Sequence, residues 1–425
     1  MTKIHFITQG CSSNARESEL MMGLVRNSGL ELAEEKESEI NVINICTVKG
    51  DHTALREVRR LKRQFPEKGL VVAGCITDSI VPKIKAIDGR ISFVNTHNFG
   101  RITAVVENAV NGTVLELLDK KYESKVNLPS VRKNPVIGIV PILNGCNYFC
   151  TFCSTKLVKG KLVSYPMDAI REDVKAHLKS GCREIWITSN DTGAYMVEQG
   201  GKQKIVELLQ NILSVPMDFK VRVGMMNPGN TITILKNLIE VYKHDKMLKF
   251  LHIPLQSGNN EILNSMNRKY KTEDFVAVVE AFRKEIPEIT VSTDIIVGFP
   301  GETDSQFNDT VKILDETKPD IVNISRYSAR EGTIAARMKQ VSTNKMKERS
   351  RIITIQHRKN ANANNKKWLG WKGKILIDEK GKNESWLGRN FAYKPVVVKG
   401  DLKLGDEIEV EITEATNFDL RGALC

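Results

Sequence analysis

The chain has 425 residues, of which 41% are hydrophobic and 27% charged; this mix excludes wholesale disorder and leaves room for roughly two to four domains. No stretch approaches the ~18 uninterrupted apolar residues of a membrane span, and the first eight residues carry too short an apolar run for a secretory signal. Lys and Arg number 63 against 51 Asp and Glu, a net charge of +12 that favours a polyanionic partner without naming one.

The first part, residues 1–118, alternates strand and helix. Ile4–Thr8, Ile40–Ile45 and Leu70–Ala73 read as strands, Arg16–Asn27 and Ala54–Arg63 as helices. Such alternation predicts βα units on a parallel sheet. The polar stretch 119–135, with Pro129 and Pro135, reads as a linker. A second series fills residues 136–364. Its strands are expected at Val136–Leu143, Glu184–Thr188, Lys220–Gly224, Phe250–Leu255, Thr290–Val297 and Asp320–Ser325, with helices such as Met167–Lys179, Ile205–Leu213 and Phe307–Glu316 between them. Six units are too few for a complete eight-stranded barrel, so the expectation is a partial (β/α)6 barrel with its site at the C-terminal strand ends. Residues 365–425 change character. Short runs at Lys374–Ile377, Ala392–Val398 and Glu407–Ile412, separated by Gly and Asp turns, predict a small antiparallel β-barrel. Between His357 and Gly400 stand eleven Lys or Arg and three acids, with three of the four Trp. Lysines on phosphates and aromatic rings on unpaired bases suit RNA; the alternative is a solvated face with Trp in the barrel core.

Eight cysteines in a chain without a secretory signal point to metal binding or chemistry in a reducing, cytoplasmic setting rather than to disulfides. The sharpest cluster is Cys146-Asn-Tyr-Phe-Cys150-Thr-Phe-Cys153, directly after a predicted strand and Gly145. A loop of this kind can wrap three thiolates around one four-iron cluster. Three ligands leave one iron open, and an open metal position is where substrate or cofactor binds. The plainer readings are a zinc site short of one ligand, or three buried thiols. Tyr148 and Phe152 between the thiols would shield the cluster or pack on a cofactor base. A second set, Cys11, Cys46 and Cys75, is spread along the chain, each closing a predicted strand. Parallel sheets bring their C-terminal strand ends to one edge, so three neighbouring strands would deliver three thiols to one site. The alternative is three core cysteines. Cys182 reads as packing, Cys425 as an exposed terminus, and His52, His97 and His252 as structural.

The CxxxCxxC motif on a six-unit βα series resembles the radical S-adenosylmethionine (SAM) enzymes. Two cysteine triplets and a basic β-barrel together resemble the radical SAM methylthiotransferases over essentially the whole chain. The matching stretches are Gly10-Cys11-Ser-Ser-Asn14 with Glu17-Ser18-Glu19, Cys46-Thr-Val-Lys49, Asp191-Thr-Gly-Ala-Tyr195, Gln256-Ser-Gly258, Met266-Asn-Arg268-Lys-Tyr270 and Asp294-Ile-Ile-Val-Gly-Phe-Pro-Gly-Glu302. Gly388-Arg-Asn-Phe-Ala-Tyr-Lys-Pro395 resembles the signature of the RNA-binding TRAM barrel. Arg222-Val-Gly-Met-Met-Asn-Pro228 is most similar to the archaeal and eukaryotic branch, which acts on threonylcarbamoyladenosine beside the anticodon of transfer RNA. The chain departs from the family at Lys159-Gly-Lys161 and Tyr165, where an Arg-Gly-Arg run and an Arg are usual, and at Met196, where Gly is common.

The resemblance implies an enzyme with two 4Fe-4S clusters, one at Cys146, Cys150 and Cys153 and one at Cys11, Cys46 and Cys75, with SAM as cofactor. Asn190, Asp191, Asn227, Gln256, Asp294 and Arg326, polar residues at predicted strand ends, are the expected cofactor contacts. The implied partners are transfer RNA and a flavodoxin- or ferredoxin-like electron donor, with no membrane. The same family includes enzymes that modify a ribosomal-protein aspartate or an isopentenyl-type adenosine. A reading from another class is an iron–sulfur redox sensor that binds RNA, which needs no cofactor pocket.

Overall fold

The computed structural model describes residues 2–425. The first part contains strands β1 (Lys3–Thr8), β2 (Glu31–Leu32), β3 (Ile40–Ile45), β4 (Gly69–Gly74), β5 (Ser92–Asn95) and β6 (Glu116–Leu117). They form one parallel sheet in the order β2–β1–β3–β4–β5–β6. Successive strand residues face opposite sides, and both sides are apolar because helices cover both. Helices α1 (Ser12–Asn27) and α4 (Ile102–Val110) bury Ile4, Val42 and Val71 on one face. Helices α2 (Asp51–Gln64) and α3 (Val81–Lys85) bury Ile43, Val72 and Phe93 on the other. The connector 119–135 has no regular structure, yet it is pinned. Lys125 and Val126 are buried, and the Val131 amide donates to the Glu19 carbonyl.

The central part places β7 (Ile137–Pro141) beside a short antiparallel pair, β8 (Leu143–Asn144) and β9 (Val163–Ser164), which frames the cysteine loop and α5 (Thr155–Lys159). Five further strands follow: β10 (Glu184–Thr188), β11 (Lys220–Val223), β12 (Phe250–His252), β13 (Thr290–Val297) and β14 (Ile321–Arg326). They pair as two parallel half-sheets, β7–β10–β11 and β12–β13–β14, bridged at Val221 and Met247. This is the expected open six-stranded barrel. Helices α6 (Met167–Lys179), α7 (Ile205–Leu213), α8 (Pro228–Thr231), α9 (Leu235–Tyr242), α10 (Asn260–Ser265), α11 (Thr272–Glu285) and α12 (Asp304–Thr317) surround it around one continuous core. The long α13 (Thr343–Lys366) leads to the tail.

The tail closes as a five-stranded barrel of β15 (Lys372–Lys380), β16 (Ser385–Arg389), β17 (Pro395–Lys399), β19 (Leu420–Leu424) and β18 (Glu407–Ala415), in that order around the ring. One expectation needs correction: the barrel is not wholly antiparallel, since β17 and β19 run parallel, with Val396 opposite Leu420. A ring with an odd number of strands cannot alternate direction at every neighbour. Trp368 is buried, and Trp371 and Trp386 pack against the same core.

The tail barrel docks on the N-terminal ends of the central strands. Tyr393, held at φ +61°, packs with Leu248, Phe250 and Trp186. The Arg222 guanidinium lies 4.6 Å from the Phe250 ring centre, 4.9 Å from Trp186 and 5.1 Å from Tyr393. Lys394 reaches Asp320 at 2.7 Å, and the Lys249 amide donates to the Phe391 carbonyl. The stretch 388–395 therefore helps fasten two domains together.

Glu184 lies fully buried at this junction, accepting a hydrogen bond from the Trp186 indole. Burial pushes its carboxyl up to about 7 from 4.5. The folded chain thus holds a proton that the unfolded chain releases between pH 4.5 and 7, and stability falls as pH rises through that window. Glu184→Gln should match wild type near pH 4.5 and exceed its stability at pH 8, by at most about 3 kcal/mol. Denaturant midpoints at the two pH values measure this; a wild-type pH slope in the variant would contradict it.

Candidate functional site

Strands β1, β3 and β4 are neighbours, so Cys11, Cys46 and Cys75 emerge together at one sheet edge. Gly10 makes the close approach feasible. Its φ is +119°, and a Cβ there would lie 2.5 Å from the Cys46 Cβ. Asn14 knits the three strand ends together. Its Nδ2 donates to Asn44 Oδ1 at 3.0 Å and the Ile45 carbonyl at 2.9 Å, and sits 3.9 Å from Cys75 Sγ. Cys11 Sγ faces Asn14 Oδ1 at 3.5 Å. A hydrogen bond from Cys46 lowers the Cys11 thiol to about 6 and raises that of Cys46; burial raises Cys75.

Beside these thiols lies a buried charge group. Glu17 Oε1 accepts from Lys125 at 2.6 Å, from Thr96 at 2.6 Å, and from Lys159. All three charged side chains are enclosed. Burial opposes ionisation of Glu17, but the two lysines hold its carboxyl at about 2. Burial outweighs Glu17 at Lys125 and lowers that amine to about 8. At Lys159 burial is outweighed by Cys75 and Glu17, which raise it. Two lysines on one carboxylate leave a surplus positive charge inside the protein. Buried charge needs a counter-charge, and Cys11, the one thiol of the three that is lowered, is positioned to supply it as a thiolate.

The second set sits on the loop between β8 and β9. Gly145, at φ +79°, has no room for a Cβ, which would meet the Lys161 carbonyl oxygen at 1.8 Å. Backbone N–H groups of Tyr148 and Thr155 each approach a sulfur, Cys146 and Cys153, at 3.4 Å. Arg268 donates to Cys150 Sγ at 3.1 Å and to Tyr270 Oη at 3.2 Å. Donors aimed at sulfur favour thiolate ligation and tune what the thiolates hold. Burial pushes Cys146 up to about 11 and raises Cys150 against the pull of Arg268. Among the described residues no three His, Cys, Asp or Glu side chains converge on a single-ion position. Around a four-iron cube each thiolate meets a different iron, so its ligands surround a space instead of a point.

The predicted strand-end residues line the same end of the partial barrel. Asn190 Nδ2 donates to the Gly145 carbonyl at 2.9 Å, holding the cysteine loop. Asp191 is buried and accepts from the amides of Gly193 and Asn227 and from Asn230 Nδ2 at 2.8 Å. Both its oxygens thus have protein partners, and its role here is to shape the β10 and β11 loops. Asn227 caps α8 through the Gly229 amide. Gln256 sits at φ +66° beside Ile295. Burial alone would raise Asp294, but His252, at 2.9 Å, holds it below its ordinary value, and Asn323 donates to its other oxygen. His252 therefore belongs to this polar set. Arg326, at the end of β14, instead faces a groove shared with the first domain. Cys182 is buried in the core and Cys425 exposed, as expected.

Helix α1 clamps the two cysteine sets to each other. Ser12 and Thr188 hydroxyls lie 2.7 Å apart, Arg16 pairs with Asp173 at 3.1 Å inside the protein, and Glu17 takes Lys159 from α5. A groove of about 470 Å3 runs beside both sets, lined by Thr47–His52 after Cys46, by Thr77 and Ser79 after Cys75, by Ser154 after Cys153, and by 324–326 and 328–331; the cysteines themselves stay out of its lining. Lys125, Lys159, Arg268 and Asn14 carry no motif spacing of their own. Asn14 and Arg268 stand in matching stretches and Lys159 in the departing basic run, but nothing in the sequence marked Lys125 or gave any of them a partner.

A β/α half-barrel with three loop thiols and a polar strand-end floor defines a radical SAM enzyme, and residues 140–314 match the Radical SAM superfamily. Residues 3–95 match Uncharacterized protein family UPF0004, and 370–425 match the TRAM domain. The fold is similar to that of the radical S-adenosylmethionine methyltransferase TsrM from Kitasatospora setae, solved with cobalamin and a 4Fe-4S cluster bound. That likeness has a TM-score of 0.54 at 11% identity and covers 79% of this chain and 77% of that one. Over 98% of this chain and 97% of its relative, the sequence is 40% identical to a "Probable threonylcarbamoyladenosine tRNA methylthiotransferase" of Archaeoglobus fulgidus. It is 33% identical to the threonylcarbamoyladenosine tRNA methylthiotransferase of Homo sapiens, over 99% of this chain and 73% of that protein. The chain belongs to the threonylcarbamoyladenosine tRNA methylthiotransferase family.

The charge group yields an asymmetric prediction. Glu17→Gln strands two buried lysines and should cost about 3 kcal/mol or more. Lys159→Met leaves a balanced Glu17–Lys125 pair and should cost far less. Denaturation midpoints of the metal-free proteins compare the two; equal losses would show that charge balance is not what Glu17 provides.

Proposed function

We propose that this chain replaces the C2 hydrogen of N6-threonylcarbamoyladenosine, beside the anticodon of transfer RNA, with a methylthio group. The observation that carries the reading is the pair of thiol triplets held together by α1, with one groove running past the residues that follow Cys46, Cys75 and Cys153. Family membership favours this nucleoside over a ribosomal aspartate or an isopentenyl adenosine, and the polar strand-end floor favours an enzyme over a redox sensor.

A 4Fe-4S cluster at Cys146, Cys150 and Cys153 would supply the electron that converts one SAM into a hydrogen-abstracting radical, a second cluster at Cys11, Cys46 and Cys75 would present sulfur, and a second SAM would supply the methyl group; an aromatic C–H is too unreactive for polar substitution, so cofactors carry that step. Arg268 and the Tyr148 and Thr155 amides stabilise the thiolates of the first set. The surplus charge of Lys125 and Lys159 complements an anionic group at the second. Asn190, Asp191, Asn227, Gln256 and Asp294 shape the cofactor floor between strand ends.

Transfer RNA has a second surface to meet. A groove of about 400 Å3 between the tail barrel and the N-terminal strand ends is lined by Lys318, Lys367, Trp371 and Phe391, with Arg283 in its wall donating to the Thr317 and Lys318 carbonyls. Cations with partly exposed rings suit phosphates and unpaired bases. Lys394, in contrast, is committed to Asp320 and Arg389 to Asp378. No helix is long and apolar enough to cross a membrane among the described residues. A tRNA substrate and oxygen-sensitive thiols fit the cytoplasm, with a flavodoxin- or ferredoxin-like protein as electron donor.

Anaerobic reconstitution should load about eight irons per chain, and Ala at either cysteine triplet should leave about half. Without Cys11, Cys46 and Cys75, SAM cleavage should continue while methylthiolated nucleoside disappears. Mass spectrometry of nucleosides from a deletion strain should show threonylcarbamoyladenosine lacking its methylthio group. Unchanged nucleosides in that strain, or a wild-type load that never exceeds four irons, would refute the assignment.

A further inference from the structure

The groove beside the two cysteine sets has an uneven charge lining. Its acids are already occupied, because Lys83 pairs with Asp51 at 3.5 Å and with Glu331 at 3.2 Å. Arg330 is spent on structure, donating to the Val48 carbonyl at 3.0 Å and so tying the loop after Cys46 to the loop after β14. Two cations remain. Arg326 is exposed at the end of β14, and Lys49 is exposed on the loop after Cys46. Among the described residues neither side chain has a hydrogen-bond or ion-pair partner. A guanidinium free at the wall of a concave groove is a carboxylate site, because its planar fork matches two oxygens at once.

The substrate carries a carboxylate that suits this position. In adenine, C2 and the C6 that bears N6 flank N1 on one edge of the ring. A base whose C2 lies at the thiol sets can therefore direct its N6 substituent into the groove beside them. In the threonylcarbamoyl group that substituent ends in a carboxylate. Resting on the methylthiolation reading above, we propose that Arg326 is the specificity-determining residue that binds the threonyl carboxylate of the substrate, with Lys49 as the second cation across the groove. The sequence groups Arg326 with the cofactor contacts. It lines a groove with the 47–52 loop of the first domain, and Asn190 and Asp191, which hold the radical-cysteine loop and its neighbours, do not line that groove. This arrangement also accounts for discrimination: an isopentenyl substituent carries no charge and would leave Arg326 desolvated without a partner.

Binding by the reconstituted holoenzyme tests this with three synthetic anticodon stem-loops, which carry threonylcarbamoyladenosine, its threoninamide analogue, or unmodified adenosine. Wild type should prefer the carboxylate to the amide by roughly tenfold or more. Arg326→Gln should bind the two alike, and Arg326→Lys should regain part of the preference. An undiminished preference in Arg326→Gln overturns the proposal. So does an equal loss on all three RNAs, which would make Arg326 a phosphate contact. A matching fall in SAM affinity would return it to the cofactor and overturn the proposal equally. If wild type itself does not distinguish modified from unmodified RNA, the methylthiolation reading fails first, and the proposal with it.

Discussion

One carboxylate, Glu17, binds amines from two distant parts of the chain. Lys125 comes from the connector and Lys159 from the helix that follows the CxxxCxxC loop. In a low-dielectric interior, losing the shared carboxylate would leave two ammonium groups unpaired, so the placement of the first domain against the second is tied to this one residue. Arg16 with Asp173 and Ser12 with Thr188 extend the same seam along α1. The two cysteine sets, over 70 residues apart in sequence, are held near one groove by this seam, through the residues that follow Cys46, Cys75 and Cys153.

The seam also explains why the substituted basic run is tolerated. Where the family has arginine, this chain has Lys159, and a single ammonium suffices for a monodentate bond to a carboxylate already shared with Lys125. Tyr165, the other departure, is fully buried and lies beside Tyr122, with ring centres 6.2 Å apart. Its backbone carbonyl accepts from the Tyr195 hydroxyl. These positions build the junction rather than contact the groove.

The molecule separates its two tasks by the polarity of the parallel strands. Both thiol sets emerge at C-terminal strand ends, the end at which open α/β folds place ligands. The tail barrel occupies the N-terminal ends, seated through Tyr393, Phe391 and Lys394. A polyanion touching both must run along the outside of the half-barrel.

Local chemistry was legible in the amino-acid order. The radical-type motif, the strand–helix alternation, the half-barrel and the small terminal barrel all follow from short-range spacing, because thiols within one loop and apolar residues within one strand are neighbours by covalent necessity. Cys11, Cys46 and Cys75 were a weaker inference, since it needed β1, β3 and β4 to be adjacent, and adjacency is a property of the sheet. The parallel β17–β19 pair came from closing an odd-membered ring, which no single strand encodes. Lys125, Arg268 and His252 acquired their roles from partners 42 to 118 residues away. The sequence alone determined which groups are present and which loops carry them. Only the tertiary structure decided which buried charges meet, because pairing across the chain depends on how the domains pack, and packing leaves no periodic trace in the sequence.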